Sequence, residues 1–336
     1  MKVEHIRDYK KFKKIRDVWN QALFSSDQNN PFLTHEWLST WWECFSQGRS
    51  LDVLLFKDEV GNVLGMAPIM VQENILRFIA SQEVSDYCDV VAEKGREQEL
   101  YQCLWDYFGT IHPEVDRIDL MNIRSSSPTL DFLPRLASEN NYSCSCTEFE
   151  VAPVLELPSS YQDYLEGLSK KKRHELRRKL KRIGSLEGIC VEKITEAQDL
   201  ESCIDQFIAL HKQGSPSKSK FWEEPNMVEF FHQMAHRFSR RKWIELNVCL
   251  YKDRILAALI SFNYSDRVYF YNVAFDRNFA WYSPGIYLFN HCIQEAISNG
   301  KKVADFLRGR EEYKYYFGAE DSKIFRLVLI PEKSRT

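Results

Sequence analysis

Residues 268–307 constrain the fold of this chain more than any other segment, because they predict a strand, a helix and a second strand in immediate succession. The strand VYFYNVAF is followed by the loop DRNFAWY and then by Ser-Pro-Gly. Ser283 suits the N-cap of a helix, Pro284 has its φ preset for the first turn, and Gly300 suits the left-handed position after the last turn. These signals predict a helix over residues 283–299 and a following strand, VADFL.

The start of this predicted helix is a candidate anion-binding site. A helix that begins directly after a central strand turns its free backbone N–H groups and its positive end toward the edge of the sheet, where a diphosphate binds well. Gly285 would let the backbone approach such a group closely. Ser-Pro-Gly is also a common way to begin a helix, and the phosphate-binding patterns GxGxxG and GxxxxGK are both absent. The motif alone therefore does not identify a ligand.

The order of predicted elements in the first part of the chain repeats in the second part. The first set is a strand (3–6), a helix (9–24), a second helix (from 34), three strands (51–56, 63–71 and from 75), a helix (97–108) and a strand (117–121). The second set has the same order: a strand (190–194), two helices (197–211 and 227–237), three strands (243–251, 255–264 and 268–275), a helix (283–299) and a strand (303–307). A last strand is predicted over 324–330. Duplication explains this better than chance. We therefore predict an α/β protein with two similar halves, 1–156 and 157–336, each a mixed, mostly antiparallel sheet flanked by helices.

A strongly basic helix is predicted at the junction of the halves, over residues 160–183. Nine of the thirteen residues from 170 to 182 are Lys or Arg, and its apolar residues form one stripe: Leu165, Leu168, Leu176, Leu180 and Ile183. Such a helix could contact tRNA, an anionic membrane surface or a phosphate of coenzyme A. A solvated helix with one buried stripe is the commoner structure for this pattern.

Composition narrows the functional classes. The formal net charge of −3 argues against a general nucleic-acid binder. The N-terminus carries charges without an apolar stretch, and no segment is long and apolar enough to span a membrane, so we expect a cytoplasmic protein. The nine cysteines include no CxxC pair or Cys/His cluster, which predicts reduced thiols and no metal. His232 and His236 are four residues apart, a spacing that can bind metal, but no Glu-rich segment is nearby, so we interpret them as ordinary helix residues.

Three blocks in the second half resemble the signature of the CelD-like acetyltransferases, which are GNAT-superfamily proteins named for an association with bacterial cellulose biosynthesis. The blocks are YN at 271–272, YSPG at 282–285, and DFLRG at 305–309 with YK at 313–314. Further matches in the first half extend the resemblance over nearly the whole chain: FLT at 32–34, WL at 37–38, WW at 41–42 and SDY at 85–87. These proteins are similar in fold to the Fem-type aminoacyltransferases, which are also paired GNAT halves and take their acyl group from aminoacyl-tRNA.

The resemblance implies two GNAT-like halves with one working acyl-donor site in residues 157–336, the N-terminal half being degenerate. It implies acetyl-CoA, or another acyl-CoA, as co-substrate, held by Tyr282, Ser283, Pro284 and Gly285. The acceptor would be an amino or hydroxyl group of a sugar or small metabolite, as in polysaccharide biosynthesis, entering between the halves. Residues 277–285 depart from the GNAT diphosphate loop, Arg/Gln-x-x-Gly-x-Gly/Ala. An aminoacyltransferase that uses charged tRNA and a non-catalytic GNAT-like scaffold therefore remain alternatives.

Direct acyl transfer needs a base for the nucleophile, a donor for the carbonyl oxyanion and a proton for the leaving thiolate. Asp305, in the strand after the cofactor helix, and His211, at the end of a helix before a polar loop, are candidates for the base. Tyr271 is a candidate for protonating the thiolate. Two of the three have a specific structural alternative: an ion pair with Arg308 or Lys314 for Asp305, and packing for Tyr271.

Five further residues are candidates for binding substrate. Arg308 and Lys314 follow the strand whose end faces the supposed cleft, so they could bind a phosphate or a carboxylate. Their alternative is a surface ion pair with a nearby glutamate. In the first half, Ser85, Asp86 and Tyr87 occupy the loop equivalent to the one before Ser283, and we expect them to shape an acceptor pocket rather than a second coenzyme A site.

Overall fold

The computed structural model describes residues 1–81, 84–111 and 115–332, and it divides the chain into two compact units. Unit 1 comprises Met1–Glu150 and the C-terminal segment from Lys323 onward, and unit 2 comprises Val151–Ser322. The predicted halves, 1–156 and 157–336, assigned the C-terminal segment to the second half. The structure groups that segment with unit 1 because the last strand pairs there, as described below.

Unit 1 contains two sheets and five helices. Its strands are β1 (Lys2–Ile6), β2 (Ser50–Leu51), β3 (Val53–Lys57), β4 (Val63–Ala67), β5 (Ile69–Gln72), β6 (Ile75–Phe78), β7 (Val91–Ala92), β8 (Arg117–Arg124) and the first part of β9 (Tyr142–Glu156). Its helices are α1 (Tyr9–Lys14), α2 (Arg16–Phe24), α3 (His35–Phe45), α4 (Glu97–Ile111) and α5 (Thr129–Glu139). One sheet has the order β1-β3-β4-β7, and the other contains β8-β6-β5-β2. All of these pairs are antiparallel except β6 with β8, which is parallel.

Local signals account for several boundaries in unit 1. The predicted cap of α3 is confirmed, because Thr34 Oγ1 accepts the N–H of Trp37 at 3.3 Å. The predicted strand over 63–71 was wrong, since β4 and β5 are separate strands in different sheets with Pro68 between them, and proline cannot donate to a ladder. The predicted helix over 9–24 is likewise two helices that meet at Ile15.

In the described residues, the strands of unit 2 all lie in one sheet, and seven α-helices accompany them. Its helices are α6 (Tyr161–Gly167), α7 (Lys170–Ile183), α8 (Ala197–Lys212), α9 (Pro216–Phe221), α10 (Met227–Arg240), α11 (Pro284–Ser298) and α12 (Glu312–Tyr316). Its strands are β10 (Cys190–Ile194), β11 (Ile244–Tyr251), β12 (Arg254–Tyr264), β13 (Arg267–Phe275), β14 (Val303–Asp305), the end of β9 and the start of β15 (Glu320–Pro331). The sheet has the order β10-β11-β12-β13-β14-β9. Only β13 and β14 pair in parallel, and the predicted antiparallel meander of β11, β12 and β13 is confirmed. The later part of β15 pairs with β8 of unit 1, which explains the assignment of the C-terminal segment.

Helices cover both faces of the sheet in unit 2. The ring of Phe270 contacts Phe289 of α11, whereas the ring of the next residue, Tyr271, stacks on Phe231 of α10. Because successive strand residues point to opposite faces, α11 and α10 lie on opposite sides of β13. The predicted α/β fold, with mixed and mostly antiparallel sheets flanked by helices, is confirmed.

The predicted basic helix over 160–183 was wrong as a single element. Leu168 is extended, with φ −68° and ψ 140°, and it separates α6 from α7. Ser169 then caps α7, since its side chain accepts the N–H of Lys172. The serine competes with helical continuation by offering its own hydrogen bond at this point.

Candidate functional site

The parallel strands β13 and β14 diverge after a short contact. They pair at Arg267 with Val303, Val268 with Ala304 and, last, Tyr269 with Asp305. Beyond that point β13 continues for six residues to Phe275, whereas the chain after β14 turns to follow β9, as the N–H of Phe306 donates to the Pro153 carbonyl at 2.9 Å. Among the described residues, no strand pairs with β13 beyond Tyr269 on the side of β14.

The free edge of β13 begins at an irregularity in the sheet. The register of β12 with β13 shifts between Ile260 and Ser261, which face Asn272 and Phe270, so Tyr271 is an extra residue in β13. A bulge of this kind bends the strand and redirects its backbone groups. Beyond the bulge the carbonyl of Val273 accepts a hydrogen bond from Lys218 Nζ of α9 at 2.9 Å. A side chain thus occupies the position that a neighbouring strand would otherwise take.

The helix α11 begins beside this edge. Residues Arg277–Tyr282 form a 3₁₀ turn, and Ser283 is the N-cap, as predicted, with Pro284 in the first turn. Ser283 adopts left-handed φ and ψ of 55° and 51° and makes no side-chain capping bond, so the first N–H groups of α11 keep their capacity to bind an anion. A Cβ built on Gly285 would have no atom within 4 Å, so there is open space before this turn.

The aromatic residues before α11 have different environments. Tyr282 is half-buried and its ring lies 6.2 Å from that of Phe279. Trp281 is 70% exposed, and the guanidinium of Arg182, from α7, lies 4.0 Å from its ring centroid. Arg182 also donates to the Trp281 carbonyl at 2.6 Å, so α7 is tied to the turn that precedes α11.

Asp305 holds the turn that follows β14. Its side chain is buried, and Oδ1 accepts the N–H of Leu307 at 2.9 Å. Leu307 has a φ of +59°, a conformation that a branched residue adopts only when its surroundings fix it. The predicted catalytic carboxylate therefore lies at the point where β13 and β14 separate, and it shapes the backbone there.

Lys314 is buried inside the loop that this turn begins. Its ammonium donates to the carbonyls of Leu307, Arg308 and Gly309 at 2.7 to 3.1 Å and lies 2.9 Å from a carboxylate oxygen of Glu311. An ammonium has three donors, so these contacts occupy them all. We had expected Lys314 to bind substrate, and the structure instead places its charge at the centre of the loop. The Arg308 side chain is half-buried on the same loop.

His211 lies among aromatic rings at the end of α8. Its Nδ1 accepts the indole N–H of Trp222 at 2.9 Å, and its side chain is also hydrogen-bonded to Asn272 of β13. Burial, and then the nearby ammonium of Lys218, lower the pKa of His211 to about 3. The imidazole is therefore neutral over the physiological range. Because Nδ1 accepts from Trp222, the proton of the neutral ring is assigned to Nε2.

Lys218 is a site residue that the sequence analysis missed. It belongs to α9, a short helix in a stretch predicted only as a polar loop, and no motif marks it. Burial lowers its pKa, opposed by the carboxylate of Glu311 and assisted by the cation of Arg277. Proline at the start of α9, after the capping residue Ser215, is the one local signal for a helix there. Nothing in the sequence shows that this lysine reaches β13.

Tyr271 lies on the sheet face that α10 covers. Its ring stacks between Phe231 and Phe262, with centroid separations of 5.9 and 4.8 Å. The position is the extra residue of the bulge, and its neighbour in sequence, Asn272, contacts His211. The structure therefore brings two of the predicted catalytic residues, Tyr271 and His211, to the same stretch of β13.

The residues predicted to shape an acceptor pocket in unit 1 are mostly buried. Ser85 is inaccessible, and its Oγ accepts the indole N–H of Trp37 at 2.8 Å. Tyr87 is 2% exposed, with the guanidinium of Arg124 5.4 Å from its ring centroid. Asp86 is the partly exposed member of the three.

Among the described residues, no group of three or more His, Cys, Asp or Glu side chains could hold a metal ion. His232 contacts Asp205 at 3.0 Å, which is a pair rather than a ligand set. A search for membrane-spanning helices in the described part of the chain also finds none of sufficient length and apolarity.

Residues 170–315 match the family model described as an acetyltransferase (GNAT) domain. The match includes α7 and extends into α12, so it contains the diverging strands, Lys218 and the start of α11. The chain has a tandem GNAT fold. A comparison with curated proteins found no match.

Solved structures share the fold over nearly the whole chain. FemX has a TM-score of 0.65 at 12% identity, with 97% of each chain covered. L-PGS from Bacillus licheniformis has a TM-score of 0.57 at 9% identity, covering 94% of this chain and 91% of that chain. A tandem GNAT protein from the clavulanic acid biosynthesis pathway has a TM-score of 0.53 at 9% identity, covering 99% of this chain and 100% of that chain. These similarities concern the fold.

Proposed function

We propose that unit 2 transfers an acetyl or other acyl group from acyl-CoA to an amino or hydroxyl group of a sugar or small metabolite. The observation that carries this proposal is the divergence of β13 from β14 after Tyr269 and Asp305, directly beside the open start of α11. The family match to a GNAT acetyltransferase domain covers this region and supports the same chemistry.

The donor would use two backbone surfaces. The first N–H groups of α11 and the space beside Gly285 suit a diphosphate, because the positive end of the helix favours anions. Tyr282, Ser283 and Pro284 would flank it. The unpaired edge of β13 suits an extended arm that carries amide groups, since such an arm can hydrogen-bond to a strand edge. Lys218 would leave the Val273 carbonyl, or share it, when the arm binds.

The reaction would be direct attack. The lone pair of the acceptor amine or hydroxyl adds to the thioester carbonyl carbon, and the C–S bond breaks as the carbonyl re-forms. The acceptor gives up its proton to solvent, and the leaving thiolate takes one from a protein donor that solvent then reprotonates. We propose Tyr271 as the group that protonates the thiolate. His211, neutral and hydrogen-bonded to Asn272, would take up the acceptor's proton only weakly, so we propose that it mainly positions β13.

Asp305 and the loop after it would complete the site. We propose that Asp305 acts by its negative charge at the divergence of the strands, orienting the acceptor directly or through the backbone of Leu307. Arg308 would bind an anionic group of the substrate, whereas Lys314 would keep the loop in shape. In unit 1, Asp86 is the residue of the predicted acceptor set with the most access. We further propose kinship with the CelD-like acetyltransferases, and with it a role in polysaccharide biosynthesis in the cytoplasm.

A thermal-shift panel of acyl-CoAs, with free coenzyme A and ADP as matched controls, tests the donor. An acyl-CoA at ~100 times its Kd should raise the free energy of unfolding by roughly 2.7 kcal/mol. Release of free thiol on addition of amino sugars and small amines would then identify the acceptor class. Binding of charged tRNA without acyl-CoA would favour the aminoacyltransferase instead, and binding of neither donor would favour a non-catalytic scaffold.

A further inference from the structure

The helix α7 presents an unusual surface that acyl transfer does not explain. Its apolar residues Leu176 and Ile183 are buried in the core of unit 2, so its hydrophobic stripe is already used in packing. The remaining surface carries nine Lys or Arg residues and one acid, Glu175. A helix with this composition repels itself unless its cations find partners.

Within the described residues, ion pairs and hydrogen bonds involve three of these nine cations. Arg178 and Lys179 pair with Glu175, and Arg182 lies on Trp281. No ion pair or hydrogen bond of their side chains to other described residues is found for six of the nine: Lys170, Lys171, Lys172, Arg173, Arg177 and Lys181. The positive charge of α7 is thus neutralised by one carboxylate only.

The exposed cations form a straight row. Lys170, Arg177 and Lys181 are exposed and follow a spacing of seven and then four residues, which places them on one side of the helix. At a rise of 1.5 Å per residue the row is about 16 Å long. Trp281, 70% exposed, lies beside the C-terminal end of the row through its contact with Arg182.

We propose that α7 and Trp281 bind unit 2 to the surface of an anionic lipid bilayer. A row of cations on a convex helix can contact a flat array of negative headgroups along its whole length, and an indole is well suited to the headgroup layer. The buried stripe of α7 prevents insertion, so the association is electrostatic and reversible.

Two observations favour a bilayer over a nucleic acid as the partner. One face of the exposed Trp281 ring is already covered by Arg182, which leaves less of it for stacking on a base. The whole chain has a net charge of −3 and a pI of about 6.3, whereas nucleic-acid-binding domains are usually basic overall. Salt at 0.1 M screens charges over about 10 Å, so the positive potential of α7 acts only close to the helix. Contact through this one helix is therefore sufficient for binding to the bilayer.

Co-sedimentation with lipid vesicles tests the proposal independently of any acyl donor. The full chain should bind vesicles of phosphatidylcholine that contain phosphatidylglycerol, and not vesicles of phosphatidylcholine alone, and high salt should release it. The triple variant Lys170→Gln/Arg177→Gln/Lys181→Gln should lower the partition coefficient about a hundredfold, since each basic residue near such a surface contributes a similar share. The charge-conserving variant Lys170→Arg/Arg177→Lys/Lys181→Arg should bind the anionic vesicles as the wild type does.

The chain offers a matched control on α1 of unit 1. Lys10, Lys11 and Lys14 are exposed cations, so Lys10→Gln/Lys11→Gln/Lys14→Gln removes the same charge elsewhere and should leave vesicle binding unchanged. The proposal would be overturned if this control lost as much vesicle binding as the α7 variant does. It would also be overturned if the protein bound neutral and anionic vesicles equally, or bound neither. Salt-sensitive binding of an RNA hairpin in the absence of vesicle binding would assign α7 to nucleic acid instead. Circular dichroism and acyl-CoA titration of each variant separate a folding or donor-site defect from loss of the surface.

Discussion

The two units differ in what covers the strand edge beyond their parallel pair. In unit 1, β6 and β8 pair in parallel only at residues 75–76 and 117–118, and beyond this the chain itself lies on β8. The N–H of Cys88 donates to the Asn122 carbonyl at 3.0 Å, and the Asn122 side chain donates to the carbonyls of Ser81 and Ser85. In unit 2 the strand that extends beyond the parallel pair is β13, the strand before the helix rather than the one after it, and its Val273 carbonyl accepts from the flexible ammonium of Lys218.

This difference indicates which unit can take a ligand at its divergent strands. A backbone segment held by several buried hydrogen bonds is costly to displace, because each group left unpaired costs about 1–3 kcal/mol. A single lysine can rotate away at much lower cost and remain hydrated. The start of the following helix agrees with this contrast, since eight residues separate β13 from α11 whereas eighteen separate β6 from α4. The four predictions below test the contrast, from the largest expected effect to the smallest.

Tyr87→Ala should lower the free energy of unfolding by about 3–5 kcal/mol, because the ring is 2% exposed and its removal leaves a cavity. Chemical denaturation measures the change, and Tyr87→Phe, which keeps the ring, should retain most of the stability. If Tyr87→Ala instead kept wild-type stability and raised the KM for the acceptor, unit 1 would contain the acceptor pocket predicted from the sequence.

Asp305→Asn should reduce turnover ~10²-fold or more with donor affinity nearly unchanged. Asparagine keeps an acceptor for the N–H of Leu307, so the turn survives and only the charge is lost. Steady-state kinetics with acyl-CoA and isothermal titration of the donor measure the two effects. Asp89→Asn in unit 1 is the matched control, since this buried carboxylate bonds Ser127 and Thr129 and should affect stability alone. A thermal defect in Asp305→Asn without a kinetic one would make Asp305 structural.

Lowering the pH should destabilise the protein through His211. Below about pH 6.5 the unfolded chain protonates this imidazole, whereas the folded protein, with its pKa of about 3, does not, so stability falls as the pH drops from 6.5 toward 3. The loss from this group should reach roughly 2 kcal/mol at pH 5. His211→Asn keeps an acceptor for the Trp222 indole and should lack this dependence.

The ionisation of Asp89 changes the stability with pH in the opposite direction to that of His211. The wild type must therefore be compared with His211→Asn. Burial raises its pKa to about 6, so its contribution is lost as the pH rises from about 4 toward 6. The difference between wild type and His211→Asn, measured by urea denaturation at pH 5 and pH 7.5, isolates the histidine. Identical slopes in the two proteins would show that His211 titrates normally.

Gly285→Val should weaken acyl-CoA binding tenfold or more, on the order of 1.4 kcal/mol, by occupying the space before α11. Thermal stability should hardly change, because a Cβ there has no atom within 4 Å. Gly109→Val is the matched control: Gly109 lies in α4 of unit 1, with the same open surroundings, and its replacement should not alter donor affinity. Unchanged affinity of Gly285→Val in isothermal titration would move the donor site elsewhere.

The sequence by itself determined the elements whose signals are local. Thr34 caps α3 through a bond three residues away, and Pro284 fixes the start of α11. Alternation and short polar turns likewise predicted β11, β12 and β13, because hairpin partners are close in sequence. The repeated order of these elements predicted two similar halves, and their GNAT-like character was implied by the resemblance of the YN, YSPG and DFLRG blocks to the CelD-like acetyltransferases.

The tertiary structure decided the features that depend on residues far apart in the chain. Lys218 meets Val273 across 55 residues, and the pairing of β15 with β8 brings Leu327 opposite Leu120. The lowered pKa of His211 follows from burial and from the nearby ammonium of Lys218, neither of which a spacing pattern encodes. Local capping and alternation act over a few residues. The pairing of distant groups is set by packing, which also fixes their solvation and charge, so the sequence predicted the strands and the helix around the candidate site but not the contacts that Lys218 and His211 make there.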